Sequence, residues 1–366
     1  MNKKLISGMS GALTLVFSAS SFAQTSFEVT EVATGLNHPW GIAFLPDGSA
    51  LITERKGGLR HMKADGSLSD AISGLPAAVD KGQGGMLGLA IHPDFANTQE
   101  VYVCLSVAGE GGVSSEVHKG VLKDGALTGV TRIFEALPKV DTGFHFGCRV
   151  TFDRSGDVFI SLGDRGSFKE KSQETDARFG KVVRVTQSGE ALADNPFIDG
   201  AAPEIYTYGH RNVQGMTMHP QTGAIWTHEH GPKGGDEINI LNKGDNYGWP
   251  SITYGVNYNG SIITDQTEMD GMRQPLTYWD PSIAPSGMAF YTGDAFPQWQ
   301  GDLFIGSLKF RYLKHIERDG ETVVSQSNLL EGMNYRIRDV AQGPDGNLYV
   351  LTDAADGKVL KIHPAN

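Results

Sequence analysis

Short apolar runs joined by turn residues recur along the whole chain. In the clearest example, Val150–Phe152 is joined to Val158–Leu162 through a turn of Asp, Ser and Gly, a pattern that predicts a β-hairpin. Five further segments repeat this order of apolar run, turn and apolar run. The six copies begin near residues 42, 89, 150, 216, 288 and 340.

The intervals between the copies favour a repeat architecture. Successive copies lie 47, 61, 66, 72 and 52 residues apart, and repeats of roughly 40–50 residues built from strand pairs are typical of propeller blades. A β-sandwich would contain similar hairpins, but without a period. We therefore predict an all-β, six-bladed β-propeller with one four-stranded sheet per blade, in which the longer intervals are loop insertions on a binding face.

The N-terminus is typical of an export signal. Lys3 and Lys4 precede an apolar run, and a small-x-small cleavage site ends at Ala23. A membrane anchor is the alternative, but Gly, Ser and Thr make the run too weakly apolar to span a bilayer stably. We predict a signal peptide over residues 1–23, a single propeller catalytic domain over 24–366, and an exported protein that is periplasmic, cell-surface or secreted.

Charge and composition limit the partners further. Without the signal peptide, 29 basic residues stand against 42 acidic ones, a net charge of −13. Such a chain is a poor partner for nucleic acid or an anionic membrane surface, and no other stretch is long enough to span a bilayer. Two cysteines, Cys104 and Cys148, fall in different predicted blades, and the sequence leaves open whether they pair or remain buried thiols.

Several basic residues lie at strand ends within turn-rich, apolar segments, which is unexpected in an acidic protein. Arg211 and Asn212 precede one hairpin, Lys309 follows another, and Arg336 and Arg338 precede the last. Because one residue separates the last two, both point to one side of a strand. Salt bridges to nearby acids such as Asp339 are the ordinary explanation, but three such segments from three blades favour a ligand with several carboxylates.

Histidines and acidic residues suggest two further kinds of site. His145, just before a predicted strand, could act as a general base near neutral pH, although a lone histidine is more often structural. His228 and His230 lack the helical i, i+4 spacing of a zinc protease. The Gly/Pro turn before Asp236 and Glu237 suits Ca²⁺ better, with a surface acidic turn as the alternative.

Other nucleotide and hydrolase motifs are missing from the sequence. Gly82-Gln-Gly-Gly lacks the spacing and the following helix of a dinucleotide-binding loop. The chain also contains no G-x-S-x-G motif and no P-loop.

Taken together, these segments resemble the soluble quinoprotein aldose sugar dehydrogenases, relatives of soluble glucose dehydrogenase. The resemblance runs from about Phe27 to the C-terminus. It rests on Leu36-Asn-His-Pro-Trp-Gly-Ile-Ala-Phe, Gly82-Gln-Gly-Gly, His145-Phe-Gly, Tyr208-Gly-His-Arg-Asn, Glu229-His-Gly-Pro, Gly235-Asp-Glu-Ile-Asn, Asn246-Tyr-Gly-Trp-Pro and Arg336-Ile-Arg-Asp. The resemblance implies a six-bladed propeller that uses pyrroloquinoline quinone (PQQ) and Ca²⁺.

The resemblance also implies roles for individual residues. His145 matches the general base, and Gln83 and Tyr258 are candidate substrate contacts. The three carboxylates of the quinone explain the gathered basic residues, and the implied cofactor-binding residues are Gln83, Arg211, Asn212, Ser282, Lys309, Arg336 and Arg338. The implied calcium ligands are the carbonyls of Gly231 and Pro232 beside the cofactor, and Glu237 with the carbonyl of Tyr247 at a second, structural site.

Two departures from the glucose-oxidising branch leave the sugar substrate open. Phe144 stands where that branch has an aspartate before the histidine, and Asp280-Pro-Ser282 stands where it has Trp-Pro-Thr, with Trp279 as a candidate for the displaced tryptophan. The chain also lacks long insertions of that branch.

The implied activity is oxidation of the anomeric C1 hydroxyl of aldose sugars to lactones. His145 would take the hydroxyl proton while C1 delivers hydride to the quinone. Calcium would polarise the quinone carbonyl. The alternatives are a calcium-dependent lactonase-type propeller hydrolase, which needs side-chain carboxylate and Asn ligands on the axis, and a non-catalytic binding propeller. We expect an external electron acceptor and a monomer or homodimer.

Overall fold

The structure, a computed structural model, describes residues 25–365, so the predicted signal peptide lies outside the described residues. The strands in chain order are β1 (Phe27–Leu36), β2 (Pro39–Phe44), β3 (Ala50–Glu54), β4 (Gly58–Met62), β5 (Met86–Ile91), β6 (Glu100–Gly109), β7 (Gly112–Lys123), β8 (Ala126–Glu135), β9 (Val150–Phe152), β10 (Val158–Leu162), β11 (Lys181–Val185), β12 (Ile205–Tyr208), β13 (Val213–Met218), β14 (Ile225–Glu229), β15 (Asp236–Ile240), β16 (Thr277–Trp279), β17 (Pro285–Phe290), β18 (Leu303–Ser307), β19 (Leu313–Asp319), β20 (Thr322–Leu329), β21 (Ile337–Gln342), β22 (Leu348–Thr352) and β23 (Gly357–Pro364). The helices of the described range are α1 (Phe95–Thr98) and two 3₁₀ helices, Lys169–Gln173 and Pro297–Trp299. None of them is long and apolar enough to cross a membrane.

The strands form six antiparallel sheets, which are the blades of a propeller. Blades 1 to 6 are β2–β4, β5–β8, β9–β12, β13–β16, β17–β20 and β21–β23 with β1. The first strands of successive blades contact one another in the order β2, β5, β9, β13, β17 and β21, and β21 contacts β2. Each predicted hairpin forms the first two strands of one blade, so the predicted all-β, six-bladed propeller is confirmed.

Blade 1 departs from the predicted four strands, because its sheet has three. The chain after β4 does run beside it, but only two isolated bridges, Leu59 with Ile72 and Met62 with Leu68, join the two segments. The chain turns at Ala64 and Asp65 just after β4, and the returning segment meets β4 at these two bridges rather than in a regular ladder.

Both ends of the described chain meet in blade 6. β1 pairs antiparallel with β23, from Phe27 opposite Pro364 to Leu36 opposite Gly357. Backbone hydrogen bonds between β1 and β23 therefore close the ring, and β1 becomes the outer strand of this blade.

The second strands of the blades are buried on both faces. Every residue of β3, β10 and β22 is buried. Neighbouring blades pack face to face, as where Val150 and Val158 of blade 3 share an apolar cluster with Tyr102 and Val117 of blade 2. This double burial explains why these strands appear in the sequence as continuous apolar runs rather than alternating ones.

The longest interval between predicted copies corresponds to a loop insertion. It places residues 241–276 between β15 and β16. Tyr258 of this insertion lines the cavity at one end of the propeller axis, in agreement with the prediction that longer intervals bring loops to a binding face.

A disulfide bond joins Cys104 of β6 to Cys148, just before β9. The Cα atoms lie 5.6 Å apart, and neither residue is exposed to solvent. The bond therefore resolves the alternative that the sequence left open, and it ties blade 2 to the loop that carries His145.

Replacing both cysteines by alanine should lower the free energy of unfolding. The bond closes a loop across a separation of 44 residues, and the chain-entropy relation gives about 4 kcal/mol for such a loop. Guanidinium unfolding of Cys104→Ala/Cys148→Ala and of the wild type, each with and without reductant, measures the difference. The wild type should fall toward the variant in reductant, whereas the variant should not respond; equal stability of the two under oxidising conditions would contradict the expectation.

Candidate active site

A cavity of about 790 Å³ lies at one end of the propeller axis. Its walls come mainly from residues just before the first strand of a blade, or just after the second strand. The lining residues are Trp40, Arg55, Gly82, Gln83, Leu87, Phe146, Asn212, Gln214, His230, Pro232, Lys233, Tyr258, Ser282, Ala284, Leu308, Lys309, Arg336, Arg338 and Asp353. Since these positions converge from all around the ring, they are where a propeller places its functional side chains.

The lining is strongly basic, although the protein is acidic. Among the described residues that line the cavity, five are Arg or Lys, and one, Asp353, carries a carboxylate. Asp353 Oδ2 accepts from Arg336 Nη2 at 3.0 Å and from Arg338 Nη2 at 2.9 Å. Burial alone would raise the pKa of Asp353, but Arg338 and Arg336 hold this pKa well below its usual range. The shared partner confirms that both arginines point to one side of the strand.

Asp339, the partner expected for these arginines, binds a different one. Its Oδ1 lies 2.9 Å from Arg149 Nη1, and its Oδ2 accepts from the backbone N–H of Ile42 at 3.0 Å. The Arg149 guanidinium lies 4.1 Å from the centre of the Trp40 ring, which lines the cavity. This buried pair therefore stands directly behind the cavity wall.

His145 lies beside that wall without lining it, between Phe144 and the lining residue Phe146. Its backbone has φ 48°, in the left-handed region. Its N–H donates to Gln83 Oε1 at 2.8 Å. Gly163 permits this conformation, because a Cβ there would lie 2.1 Å from the His145 carbonyl oxygen. The local structure therefore brings a lining glutamine and the histidine together, as the resemblance implied.

A carboxylate fixes the tautomer of His145. Nδ1 lies 2.6 Å from Asp164 Oδ1, and an ionised carboxylate can only accept a hydrogen bond. Although burial alone would raise it, the pKa of Asp164 is lowered, chiefly by His145. Nδ1 therefore carries the proton, and Nε2 is left with a free lone pair.

The same surroundings keep the imidazole neutral. Burial lowers the pKa of His145, Arg211 and Arg165 act in the same direction, and Asp164 opposes them. The His145 side chain is 12% exposed. A neutral imidazole with a free Nε2 at the edge of a cavity is a proton acceptor.

A second, small cavity of about 10 Å³ adjoins the large one through His230, which lines both. Glu229 and Glu237 line it together with Gly231 and Tyr247. Burial, and then the nearby Glu229, raise the pKa of Glu237 to about 8. Two buried carboxylates around a space for one small particle leave negative charge that a cation could neutralise.

Residues 25–365 contain no group of three or more His, Cys, Asp or Glu side chains placed to bind a metal. His228 Nε2 binds the Gly287 carbonyl at 3.0 Å, and His230 Nε2 binds that of Pro285 at 2.7 Å. Burial lowers the pKa of His228 to about 3. These histidines are therefore hydrogen-bonded to the backbone rather than aimed at a common centre.

The structure distributes the predicted site residues over the two cavities. Those that line the large cavity are Gln83, Asn212, Pro232, Tyr258, Ser282, Lys309, Arg336 and Arg338. Those that line the small one are Arg211, Gly231, Glu237 and Tyr247. Ser282 Oγ also donates to Asp236 Oδ2 at 2.7 Å.

Two exposed aromatic residues lie at or beside the large cavity. Tyr258 and Phe144 are 73% and 58% exposed, so both present free rings to solvent. Trp279 does not line the large cavity; its indole N–H donates to Gln326 in blade 5 at 2.8 Å.

Two carboxylates of the site were not predicted, although the sequence carries a signal for both. Asp164 follows β10, and Asp353 follows β22. In an antiparallel hairpin the residue after the second strand returns beside the residues before the first. His145 and Arg336 occupy those positions, so hairpin geometry alone places each acid beside its partner.

Known proteins share this fold and sequence. The family described as Glucose / Sorbosone dehydrogenase matches residues 36–361. An aldose sugar dehydrogenase of Escherichia coli (strain K12) is 45% identical over 352 residues, 94% of this chain and 95% of that protein. The apo crystal structure of the soluble aldose sugar dehydrogenase from Escherichia coli has a TM-score of 0.90 at 44% identity, covering 93% of this chain and 100% of that one. A PQQ-bound aldose sugar dehydrogenase from Streptomyces coelicolor has a TM-score of 0.76 at 27% identity, covering 93% and 99%. The chain therefore belongs to the glucose/sorbosone dehydrogenase family of oxidoreductases.

Proposed function

We propose that this protein is a PQQ-dependent aldose sugar dehydrogenase, which oxidises the anomeric C1 hydroxyl of aldoses to lactones. The observation that carries the proposal is a strongly basic cavity in an acidic protein, with a neutral, carboxylate-bound histidine beside its wall and bonded to the lining residue Gln83. The similar aldose sugar dehydrogenases, one of them PQQ-bound, support the same activity.

The basic residues of the cavity fit a cofactor with three carboxylates. Lys309 is exposed at the cavity, and Arg336 and Arg338 lie on one side of β21 and its preceding loop. Asp353 offsets only part of this charge. Arg338 Nε is buried without a hydrogen-bond partner in the described structure, and an unpaired buried donor favours a ligand that accepts from it. Asn212, Gln83 and Ser282 would add polar contacts.

In the proposed reaction His145 removes the proton of the sugar hydroxyl. Nε2 accepts this proton, and Asp164 stabilises the imidazolium that forms, since its carboxylate already binds Nδ1. Gln83, which holds the His145 backbone, and Tyr258, which is exposed at the mouth, would orient the sugar. The quinone, when bound, supplies the hydride acceptor. The chain's part is thus orientation and proton transfer.

Calcium is the metal that suits the remaining groups. The carbonyls of Gly231 and Pro232 would hold one ion beside the cofactor, where it would act as a Lewis acid. Glu237 and the Tyr247 carbonyl would hold a second one, with Glu229 as a further carboxylate that the structure adds to this cavity. Carboxylate and carbonyl oxygens are the ligands that Ca²⁺ prefers.

The charge of the cavity argues against the two alternatives. A lactonase-type site needs carboxylates free to bind the metal, whereas Asp353 is occupied by two arginines. A non-catalytic binding propeller would not require a histidine whose tautomer is fixed by a buried carboxylate. Reconstitution with PQQ and Ca²⁺ tests all three functions: a quinone absorption band that bleaches when an aldose is added supports the dehydrogenase, and a band that never appears overturns it.

The cellular setting completes the proposal. Residues 1–23 would direct export, so the sugar would be oxidised in the periplasm or outside the cell, with electrons passing to an external acceptor. A monomer or a homodimer is compatible with this reaction.

Replacing Arg338 by Ala should weaken PQQ binding. A charge-assisted hydrogen bond contributes roughly 1.5–3 kcal/mol, which corresponds to about a 10- to 150-fold rise in Kd. Titration of the apo protein with PQQ and Ca²⁺ measures this change. Arg184→Ala, which removes a guanidinium paired with Asp157 and Asp194 outside the cavity, is the matched control and should bind normally. Wild-type affinity in Arg338→Ala would remove this residue from the site.

Chelation should lower the thermal stability, because a ligand that binds only the native state stabilises it. Glu237→Gln should weaken this response, since it removes a carboxylate from the small cavity while keeping its volume. Melting temperatures of both proteins with Ca²⁺ and with excess chelator provide the measurement. An identical response of the variant and the wild type would exclude Glu237 as a ligand.

His145→Ala should keep PQQ binding but lose turnover by roughly 10²–10⁴-fold, the usual contribution of a general base. Only the neutral imidazole accepts a proton, and burial lowers the pKa of His145. The acidic limb of wild-type kcat/KM should therefore lie below the ordinary histidine value of about 6.5. Activity is retained above that limb and lost as the pH falls through it.

Stopped-flow reduction of bound quinone by an aldose, measured across pH, gives both the rate and the limb. His61→Ala, which removes a histidine bound to Ser49 on blade 1, is the control and should keep both. Quinone reduction in His145→Ala within about tenfold of the wild type, and with the same pH dependence, would show that the base lies elsewhere.

A further inference from the structure

Trp249 reaches the catalytic region from a different blade. It lies in the insertion between β15 and β16, and it is buried. Its indole N–H donates to Asp164 Oδ2 at 2.8 Å, while the other oxygen of the same carboxylate, Oδ1, binds His145 Nδ1 at 2.6 Å. The carboxylate thus stands between an indole of blade 4 and an imidazole of blade 3.

We propose that Trp249 is a positioning residue for the histidine base. A carboxylate can rotate about its last bond, and two donors on opposite oxygens fix that rotation. Oδ1 also accepts from the Gly166 N–H at 2.7 Å, whereas the indole is the donor that the described structure gives to Oδ2. The indole therefore sets the plane of the carboxylate, and the carboxylate sets the direction in which Nε2 of His145 points.

The indole itself is held firmly enough to serve this role. The backbone N–H of Trp249 donates to the Gly209 carbonyl at 2.8 Å, and the backbone carbonyl of Trp249 accepts from Gln173 Nε2 at 2.8 Å. Gln173 and Asn246 pair through their side-chain amides at 2.7 and 3.1 Å. Arg211, a proposed cofactor contact, lies 5.4 Å from the centre of the indole ring. Trp249 is therefore fixed by neighbours on both sides.

Loss of the indole donor should change how His145 titrates. The charged groups that act on this imidazole are Asp164, Arg211 and Arg165. In the wild type the hydrogen bond from the indole stabilises part of the negative charge of the Asp164 carboxylate. Without it, Asp164 attracts the imidazolium more strongly, so the pKa of His145 rises and the acidic limb of activity moves to higher pH. A carboxylate held on Oδ1 alone also orients Nε2 less well, which lowers kcat more than it raises KM.

NMR titration of the apo protein labelled at its histidines tests the proposal without any turnover. Trp249→Phe should raise the pKa of His145 by about 0.5 to 1 unit, since one unit corresponds to about 1.4 kcal/mol and the lost hydrogen bond is of that order. In the reconstituted enzyme the acidic limb should move by a similar amount. Trp226→Phe is the matched control, because this buried indole has no hydrogen-bond partner in the described structure and lies outside both cavities.

An unchanged His145 titration in a folded Trp249→Phe protein, with only a lower melting temperature, would overturn the proposal. If that variant fails to fold, site-specific benzothienylalanine at position 249 keeps the ring shape and removes only the N–H. It should shift the titration in the same direction, and an unshifted titration would again overturn the proposal. The inference rests on the proposed role of His145, but the two fail separately: the His145→Ala rate tests the base, whereas the titration tests the coupling.

Discussion

The buried ion pair between Arg149 and Asp339 crosses the propeller axis from blade 3 to blade 6. Arg149 Nε also donates to the Gln214 carbonyl of blade 4 at 2.7 Å, and Asp339 accepts from the Ile42 N–H of blade 1. Four of six blades thus meet in one hydrogen-bonded group behind the cavity. Such a pair adds little net stability over apolar packing, but breaking it is expensive, because it leaves a buried charge unpaired. It therefore fixes the relative placement of the blades on which the cavity depends.

The cavity next to this pair differs from it in charge balance, because its lining carries excess positive charge. Behind the wall Arg149 and Asp339 match each other, whereas in the wall five basic residues face one acid, and of the five Arg55 also pairs with Asp80 outside the lining. Asp353 keeps Arg336 and Arg338 close together, since two guanidiniums would otherwise repel, yet it leaves them a net positive charge. The Arg149–Asp339 pair holds the ring together, and the basic lining next to it has an excess of positive charge that suits an anionic ligand. This explains why an acidic protein concentrates basic residues at one end of its axis.

How far the sequence predicts this molecule depends on the range of the contacts. The six hairpins depend on residues close together in the sequence, and the pattern of turns and apolar runs predicted all six. Asp164 and Asp353 were not predicted, because residue type alone does not distinguish them from other acidic residues, although hairpin geometry places them beside His145 and Arg336. Contacts across the ring have no signal in the local sequence. Asp339 pairs with Arg149, 190 residues away, rather than with the neighbouring arginines, and this pairing follows only from closure of the propeller ring.

The placement of His145 shows why the closed ring matters for chemistry. Its left-handed backbone costs roughly 1–3 kcal/mol, so a conformation of this kind persists only where its surroundings over-determine it. The surroundings come from three blades: Gln83 and the disulfide hold the loop from blade 2, Asp164 holds the ring from blade 3, and Trp249 holds Asp164 from blade 4. No single blade contains enough contacts to orient the imidazole. The base can therefore acquire its working geometry only after neighbouring blades have docked, so its activity and the integrity of the ring are expected to be lost together.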